Sequence, residues 1–526
     1  MSQIIFTQSE EIVDEHPQLH TPSWVEETYL ETQYEMGEEN IDDEAILEFE
    51  AVDEEDEEPL IETDGIEWDG DHEYFFPEAE DFQESVFVRD PEVNDASSPY
   101  FILRRFLTEE IIQEIIYQTN LYARQTNIPK WTNLSVQEFW VFFALNILMG
   151  VVRKPTLQDY WSTNSLIATY SFGDSMSRDR FLQILRALHF VNLEDPELNQ
   201  TDRFHKLGSI LSRILANFKN FVNPGEFLTL DEELMPYKGR LSIRQYNSKK
   251  RGRFGIESFF LMDSQHRYVL DIIPYQGKTT TIHDRSWITK YGFGGTVRRT
   301  RKFMPKFNDP VTKKPTTLKS GEIETFSDGD LLLERWGDRK EVMMLNTFIE
   351  HRMEECESRN PANQRFKPAS VLVYNKTMGS VDNMDAIIRP YQTLRKTKKW
   401  YRKYAFHLLD ICIYNSFVIA GHFNSQITKN GYKAYLLSLV NSMLDENQLE
   451  RSTKGRRPKC PNAQKAKSSP HYPQTLQDDN GKNKRSNCKL CTQNKQRKAT
   501  KYFCDDCKVW LCVKGEITCF EKFHKK

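Results

Sequence analysis

The last forty residues hold thiols and one imidazole at a spacing that is typical of metal binding. Two Cys-x2-Cys pairs, twelve residues apart, are followed by two further cysteines and a histidine. Such ligands bind Zn²⁺ tetrahedrally, four to an ion. Seven ligands are one short of two sites. The spacing therefore predicts either two interleaved sites, one completed by an unrecognised group, or one site with spare ligands. The candidates are Cys488, Cys491, Cys504, Cys507, Cys512, Cys519 and His524.

Three carboxylates have the spacing expected of a second kind of metal site. Asp231 ends the strand-like segment LTLD, and Asp382 and Asp385 lie three residues apart in a predicted helix, where both would share one face. Mg²⁺ takes oxygen ligands, and a catalytic site for it draws them from distant segments. Taken residue by residue, however, Asp231 is more typical of a turn than of a metal ligand, and Asp382 is more typical of a helix cap.

The charge of the chain is strongly polarised. Residues 1–100 carry 34 acidic residues and one base, Arg89, whereas the remainder carries 43 acids and 69 bases. Such a basic body favours a polyanionic partner. The acidic region, residues 1–98, is predicted to be disordered. It either shields the basic body and binds protein partners, or is a solvated tail with no role.

Runs of Lys and Arg within that body are candidate DNA contacts. One of them, RKTKKWYRK (Arg395–Lys403), interleaves basic side chains with Trp400 and Tyr401, a pattern that favours a nucleic-acid surface. Two further runs, KGRRPK and KNKR, match nuclear import signals and predict a nuclear location. The longest apolar stretch, Phe139–Val152, is too short to span a membrane and predicts a buried helix. The candidate DNA-binding residues are Lys249, Lys250, Arg251, Arg253, Arg298, Arg299, Arg395, Lys398, Lys399 and Arg402.

Apolar periodicity places these residues on predicted elements. Residues 99–222 have helical spacing, and Ser135 with Glu138 forms a predicted capping box. From Phe227 the pattern changes to three strands with a turn at DSQHR, then a strand at GTVRR and a small β-rich module over residues 301–370. Helical spacing returns from Asp382 to about Ala420, within the predicted region 371–450. A basic linker, 451–485, precedes the cysteine region, 486–526.

The motifs LTLDEELMPYKGR, YNSKKRGRFGIESFFLMDS, GTVRRTRKFMP and YNKTMGSVDNMD, in this order, resemble the piggyBac transposase family. The resemblance implies an α+β multidomain protein. Its RNase H-like core would occupy residues 223–300 and 371–450, with helical dimerisation and DNA-binding segments and a zinc finger around it. It further implies Mg²⁺-dependent cut-and-paste transposition at TTAA sites, a homodimer, and binding to transposon ends. By motif, Asp231 is similar to the first catalytic acid, Asp382 to the third, and Asp385 to a further acid.

The family's second catalytic acid has no counterpart. It lies in a motif resembling D-N-[FW]-[FY]-[TS], but only 17 residues separate Gly277 from Gly295, and Asp284 among them has a different context. A βαβ unit takes roughly 30 residues. A helix and a central strand are therefore expected to be missing, which would leave neighbouring strands unpaired and abolish catalysis.

Three hypotheses follow. In the first, the chain is a DNA-binding protein that derives from a transposase and has lost catalytic activity. Mg²⁺ would be a cofactor only if the catalytic site were functional. Alternatively, the chain is a domesticated, noncatalytic chromatin-associated factor, or an unstable relic.

Overall fold

In the computed structural model, the chain divides into two compact units, Met1–Leu449 and Glu450–Lys526, which are described separately. Both contain helices and strands. The structure describes residues 3–6, 68, 82, 85–248, 250, 252–277, 280, 292–308, 312, 315–328, 331–356, 365–393, 397–449, 473–478, 481–494, 496–505, 507–513 and 518–524.

Helices make up the region between residues 99 and 221. The predicted capping box is confirmed, because Ser135 Oγ accepts from the Glu138 N–H at 3.2 Å and Glu138 Oε2 accepts from the Ser135 N–H at 3.4 Å. The helix that begins there is buried along most of its length, as its apolar sequence predicts. The helices are α1 (Pro99–Phe106), α2 (Glu109–Gln125), α3 (Val136–Val151), α4 (Tyr170–Ser175), α5 (Arg178–Ala187) and α6 (Ile210–Phe221).

A mixed sheet forms the centre of the first unit. The predicted strands after Phe227 are confirmed, with a turn between Asp263 and Tyr268. Among the described residues, the strand order is β3-β4-β2-β1-β6-β9-β8-β7, with β5 paired to β4. The strands are β1 (Gln3–Phe6), β2 (Phe227–Pro236), β3 (Arg244–Tyr246), β4 (Phe254–Asp263), β5 (Tyr268–Pro274), β6 (Phe293–Thr296), β7 (Ile323–Asp328), β8 (Leu331–Gly337) and β9 (Glu341–Asn346).

The strands expected in a separate β-rich module belong instead to this sheet. β9 pairs antiparallel with β6, with Gly294 opposite Asn346, and β8 and β7 continue outward from it. The reason is that β6 offers a free edge, and sequence periodicity does not say which edge a hairpin will join. A separate two-stranded ribbon, β10 (Met353–Cys356) with β11 (Arg365–Pro368), follows.

The first described residues of the chain form an interior strand. β1 lies between β2 and β6 and runs parallel to both, with Phe6 opposite Leu230 and Ile4 opposite Phe293. Two expectations are therefore corrected. Gln3–Phe6 forms a strand within the predicted disordered region, and the facing edges of β2 and β6, which were expected to be unpaired, are paired with it. The interval between Gly277 and Gly295 gave no sign of this, because the strand comes from the opposite end of the unit.

The upstream region is also ordered immediately before α1. Phe87 and Val88 are buried, and Val88 forms a β-bridge with Val222. The ordered body therefore begins before residue 98, the predicted end of the disordered region.

A long helix passes through the core beside the sheet. α9 (Trp400–Phe423) is long and apolar enough to cross a membrane, but 89% of its apolar window is buried, as in a core helix. The Asn415 amide ties it to β5 by bonds to the Val269 N–H (3.0 Å) and carbonyl (2.9 Å). The other helices here are α7 (Ala369–Thr377), α8 (Ser380–Ile388), α10 (Ser425–Asn430) and α11 (Tyr432–Glu446).

The second unit is small and is organised around cysteines. Its buried cluster consists of Cys488, Cys491, Cys504 and Cys512 with Leu511 and Phe520. The described elements are β12 (Gln474–Thr475), β13 (Ser486–Asn487), α12 (Lys489–Gln493), β14 (Ala499–Thr500), β15 (Tyr502–Cys504), β16 (Val509–Trp510) and α13 (Cys519–His524).

Candidate metal and nucleic-acid sites

Asp231 lies in the middle of β2, directly after the segment that pairs with β1. Its side chain is buried, and Oδ1 accepts from the Glu232 N–H at 2.9 Å. Its charge, with that of Glu232, raises the pKa of Tyr374, although burial is the larger cause of that shift. Asp231 is thus part of a strand interior and not of a turn.

Asp382 and Asp385 lie on α8, which packs against β2. Asp382 is exposed in the first turn, whereas Asp385 is partly buried, with Arg389 Nη1 3.9 Å from its Oδ2. Burial, and next the charge of Glu233, raise the pKa of Asp385. Asp385 therefore lies within electrostatic reach of the strand that carries Asp231.

These acids do not form a chelating group. Within the described parts of the chain, the groups of three or more potential ligand atoms lying within 4.8 Å of one another are all in the cysteine region. Asp284 lies outside the described residues. Asp231, Asp382 and Asp385 are therefore not a compact ligand group of the kind that the cysteines form.

A buried polar cluster lies close to these acids. Glu233, two residues after Asp231, accepts from His407 Nε2 on α9 at 2.7 Å. Burial opposes protonation of this imidazole, but Glu233 outweighs it and the pKa of His407 is raised. One turn further on, burial raises the pKa of Asp410 to about 7, and its carboxylate accepts from Thr393 N–H (3.1 Å) and Oγ1 (3.0 Å).

Sequence reasoning missed this cluster, although a signal was present. His407 and Asp410 are polar positions inside the otherwise apolar helix segment AFHLLDICIY. Buried ionisable groups need partners, so two of them in a core helix predict a polar contact on the facing strand. The chemistry of the cluster is structural, since it joins β2 to α9.

The predicted DNA-binding residues divide by exposure. Arg253, Arg298, Lys398 and Lys399 are exposed. Lys398 and Lys399 immediately precede α9, and the Lys399 ammonium lies 5.5 Å from the ring centre of Tyr122. Lys398 and Lys399 therefore form a basic surface at the start of the long helix.

Other basic residues are used within the fold. Arg402 is buried, and it donates to the carbonyls of Leu188 (3.0 Å) and Arg186 (2.6 Å) at the end of α5. The expectation that Arg402 contacts phosphate is therefore corrected. Because α9 has helical geometry, this position turns inward while the preceding bases stay outside.

Two more bases have partners in the protein. Arg299 donates to the carbonyls of Phe307 (2.7 Å) and Thr316 (3.1 Å), and Lys250 Nζ donates to the Glu232 carbonyl at 2.8 Å. Both positions stabilise loops. Lys249, Arg251 and Arg395 lie outside the described residues.

Four of the cysteines form one compact group. The sulfur of Cys491 lies 3.8 Å from that of Cys512 and 3.6 Å from that of Cys519. A tetrahedral Zn²⁺ with Zn–S bonds of about 2.3 Å would separate its sulfurs by roughly 3.8 Å. Burial acts to raise the pKa of Cys488, but N–H groups of Cys491 and Cys512 lower it to about 7. The group is Cys488, Cys491, Cys512 and Cys519.

A second group consists of Cys504, Cys507 and His524. His524 Nε2 lies 3.5 Å from the Cys507 sulfur, while Nδ1 lies 2.8 Å from the Phe520 carbonyl and can donate to it. A bond of that kind orients an imidazole so that its other nitrogen can bind metal. The ligands of the two groups alternate along the chain, which favours the interleaved arrangement over a single site with spare cysteines.

Comparisons with known proteins agree with this architecture. A family model described as transposase IS4 matches residues 98–287 and 289–417, which is more than half of the chain. PiggyBac transposable element-derived protein 2 of Homo sapiens is 24% identical over 376 residues, and protein 3 of the same series is 25% identical over 366. The alignments cover 62% and 61% of this chain and 63% and 60% of those relatives, so they span less than two thirds of either.

One solved structure has the same fold. It is a piggyBac transposase synaptic complex with hairpin DNA, determined by cryo-EM. The match has a TM-score of 0.60 at 23% identity and covers 81% of this chain and 97% of that chain.

Proposed function

Because this chain belongs to the transposase IS4 family, in its piggyBac type, we propose that it is a DNA-binding protein derived from a cut-and-paste transposase and without catalytic activity. The observation that carries the loss of catalysis is the strand that lies between β2 and β6. Gln3–Phe6 fills this position and carries no carboxylate, and only 17 residues separate Gly277 from Gly295, the interval in which the family's second acid is expected. The alternative function is that of a domesticated, noncatalytic DNA-binding or chromatin-associated factor.

The sheet supports an RNase H-like origin for this region. Antiparallel β2, β4 and β5 are joined through β2 to the parallel pair β1 and β6, and Asp231 lies on β2. In the implied family mechanism, acids on such strands hold Mg²⁺ ions that activate water or a 3′-hydroxyl. Asp231 alone among the described sheet positions resembles one of those acids.

A donor-plasmid assay tests the proposed loss of activity. A marker flanked by candidate terminal repeats and TTAA sites is supplied with the chain, and excision is counted against an Asp231→Asn variant. We expect both proteins to give the same background. Excision by the wild-type chain above that of the variant would overturn the proposal.

DNA binding is supported by exposed bases on both units. In the first unit, the β3–β4 hairpin exposes Tyr246 and Phe254, and Arg244 lies 4.7 Å from the ring centre of Phe254. Aromatic and basic side chains together suit nucleic acid. In the second unit, the exposed bases among the described residues are Lys482, Lys484, Arg485, Lys489, Arg497, Lys498, Lys508 and Lys522.

Fluorescence anisotropy with duplex DNA at several salt concentrations tests this binding. Because phosphate contacts release counterions, the logarithm of the association constant should fall linearly with the logarithm of the salt concentration. An affinity that does not change with salt would contradict binding through these basic residues.

We further propose that the chain binds transposon ends as a homodimer and recognises TTAA target sites.

Zinc and the nuclear location complete the proposed function. The two ligand groups suit structural Zn²⁺, which would hold the second unit in its fold.

The basic runs KGRRPK and KNKR resemble nuclear import signals and favour a nuclear location; the first run lies outside the described residues. Imaging of a fluorescent fusion with and without Lys454–Lys459 tests the location, and an unchanged cytoplasmic signal in both would refute it.

A further inference from the structure

The position between β2 and β6 is a complete strand-binding slot. Both neighbours run parallel to the strand that fills it, and pairing extends over Gln3–Phe6 on the β2 side and Ile4–Phe6 on the β6 side. A strand in such a position can use its N–H and C=O groups on both sides. Without it, the facing edges of β2 and β6 would lack partners inside the unit.

The four residues in the slot have the composition that an interior strand requires. Gln3–Phe6 is QIIF, which carries no charge and includes two β-branched isoleucines. β-Branched residues are enriched in strands. By contrast, 34 acidic residues lie between this strand and α1.

We propose that β2 and β6 form a binding slot for an extended peptide and that the occupant is this chain's own Gln3–Phe6, acting as an intrachain replacement for a missing central strand. This replacement restores the backbone pairing of β2 and β6, but it does not restore the second catalytic acid. β1 ends opposite Leu230, the residue before Asp231, and brings no carboxylate into the sheet. The assignment stands whether or not the chain binds DNA.

Deletion of residues 1–6 from the full chain tests the role of the strand. We expect amide hydrogen exchange in Phe227–Leu230 and Phe293–Gly295 to accelerate by about tenfold or more. Deletion of residues 40–45, which is equally long but lies in the acidic region, should leave both segments protected. A synthetic peptide of residues 1–8 should restore protection to the first variant. Unchanged exchange after deletion of residues 1–6 would overturn the proposal.

Disulfide trapping tests the register and the origin of the strand without truncation. Ile4 is the Cα partner of Leu228, and neighbouring strands lie about 4.8 Å apart, within the range for a disulfide. Ile4→Cys with Leu228→Cys should cross-link within one chain on mild oxidation. Ile5→Cys with Leu228→Cys should not, because a one-residue shift moves the side chain to the other face.

Peptide mapping and non-reducing electrophoresis distinguish the outcomes. A bond within one chain, formed by the matched pair only, supports the proposal. Equal cross-linking of both pairs would contradict the register. A bond that joins two chains would show that the occupant comes from a second copy and would overturn the intrachain assignment.

Discussion

Glu233 and His407 are joined inside the core of the first unit, with His407 Nε2 2.7 Å from Glu233 Oε2. Less than a tenth of either side chain is exposed. Glu233 lies on the same strand as Asp231, and His407 lies on the long helix α9, so the contact fixes the strand of the first predicted catalytic acid to the centre of the unit.

Removal of one member of this pair should destabilise the fold strongly. His407→Ala leaves a buried carboxylate without its partner, which typically costs about 3–5 kcal/mol. Urea unfolding followed by tryptophan fluorescence measures the change. Glu354→Gln, which disrupts the exposed pair with Arg352, is the matched control and should cost less than about 1 kcal/mol. Equal losses of unfolding free energy for the two substitutions would show that the buried pair stabilises the fold no more than the exposed pair does.

Stability should fall as pH rises through neutrality. Burial raises the pKa of Asp410 from 3.8 to about 7, and the pKa of His407 is raised above 6.5 mainly by Glu233, against the effect of burial. Both groups therefore hold protons in the folded state that the unfolded chain releases. Their contribution to the free energy of unfolding is fully present below the pKa values of the unfolded chain. It is lost as pH rises through the pKa values of the folded protein.

The measurement is the free energy of unfolding of wild type and Asp410→Asn between about pH 5 and pH 8. The asparagine can still accept from Thr393 but does not titrate, so the variant should show a flatter profile. Asp445→Asn, at an exposed position of α11, should leave the profile unchanged. A wild-type stability that increases over this range would contradict the assignment.

The bases before α9 should contribute to DNA affinity in a salt-dependent way. Lys398→Gln and Lys399→Gln should each weaken binding to any duplex and reduce the slope of log K against log salt by about one. Arg402→Gln is the contrasting variant. Its guanidinium holds the carbonyls of Arg186 and Leu188, so it should lower thermal stability without changing the slope. A reduced salt slope for Arg402→Gln with unchanged thermal stability would show that Arg402 contacts DNA and has no structural role.

The two ligand groups should hold separate zinc ions. We expect two ions per chain by inductively coupled plasma mass spectrometry, and one after either Cys512→Ser or His524→Ala. Each substitution removes a ligand from a different group. Cys356→Ser, which lies outside both groups, should retain two. One ion in the wild type that is kept in His524→Ala would rule out the second site.

Several features follow from local sequence. The capping box of Ser135 and Glu138, the strands after Phe227, and the buried helix from Trp400 are set by hydrogen bonds and periodicity within a few residues. The chemical identity of the cysteine region, and the motif that marks Asp231, are likewise visible without a structure. Local spacing determines these features because the interacting groups are neighbours along the chain.

Long-range pairing had to come from the tertiary structure. The sequence shows two Cys-x2-Cys pairs, but only the fold assigns Cys512 to the first group and His524 to the second. It shows a basic run, but only packing against α5 turns Arg402 inward. It shows a short interval between Gly277 and Gly295, but only the sheet reveals that Gln3–Phe6 lies between β2 and β6. A strand edge can be paired by any compatible segment of the chain, and which one pairs with it is decided by the whole fold.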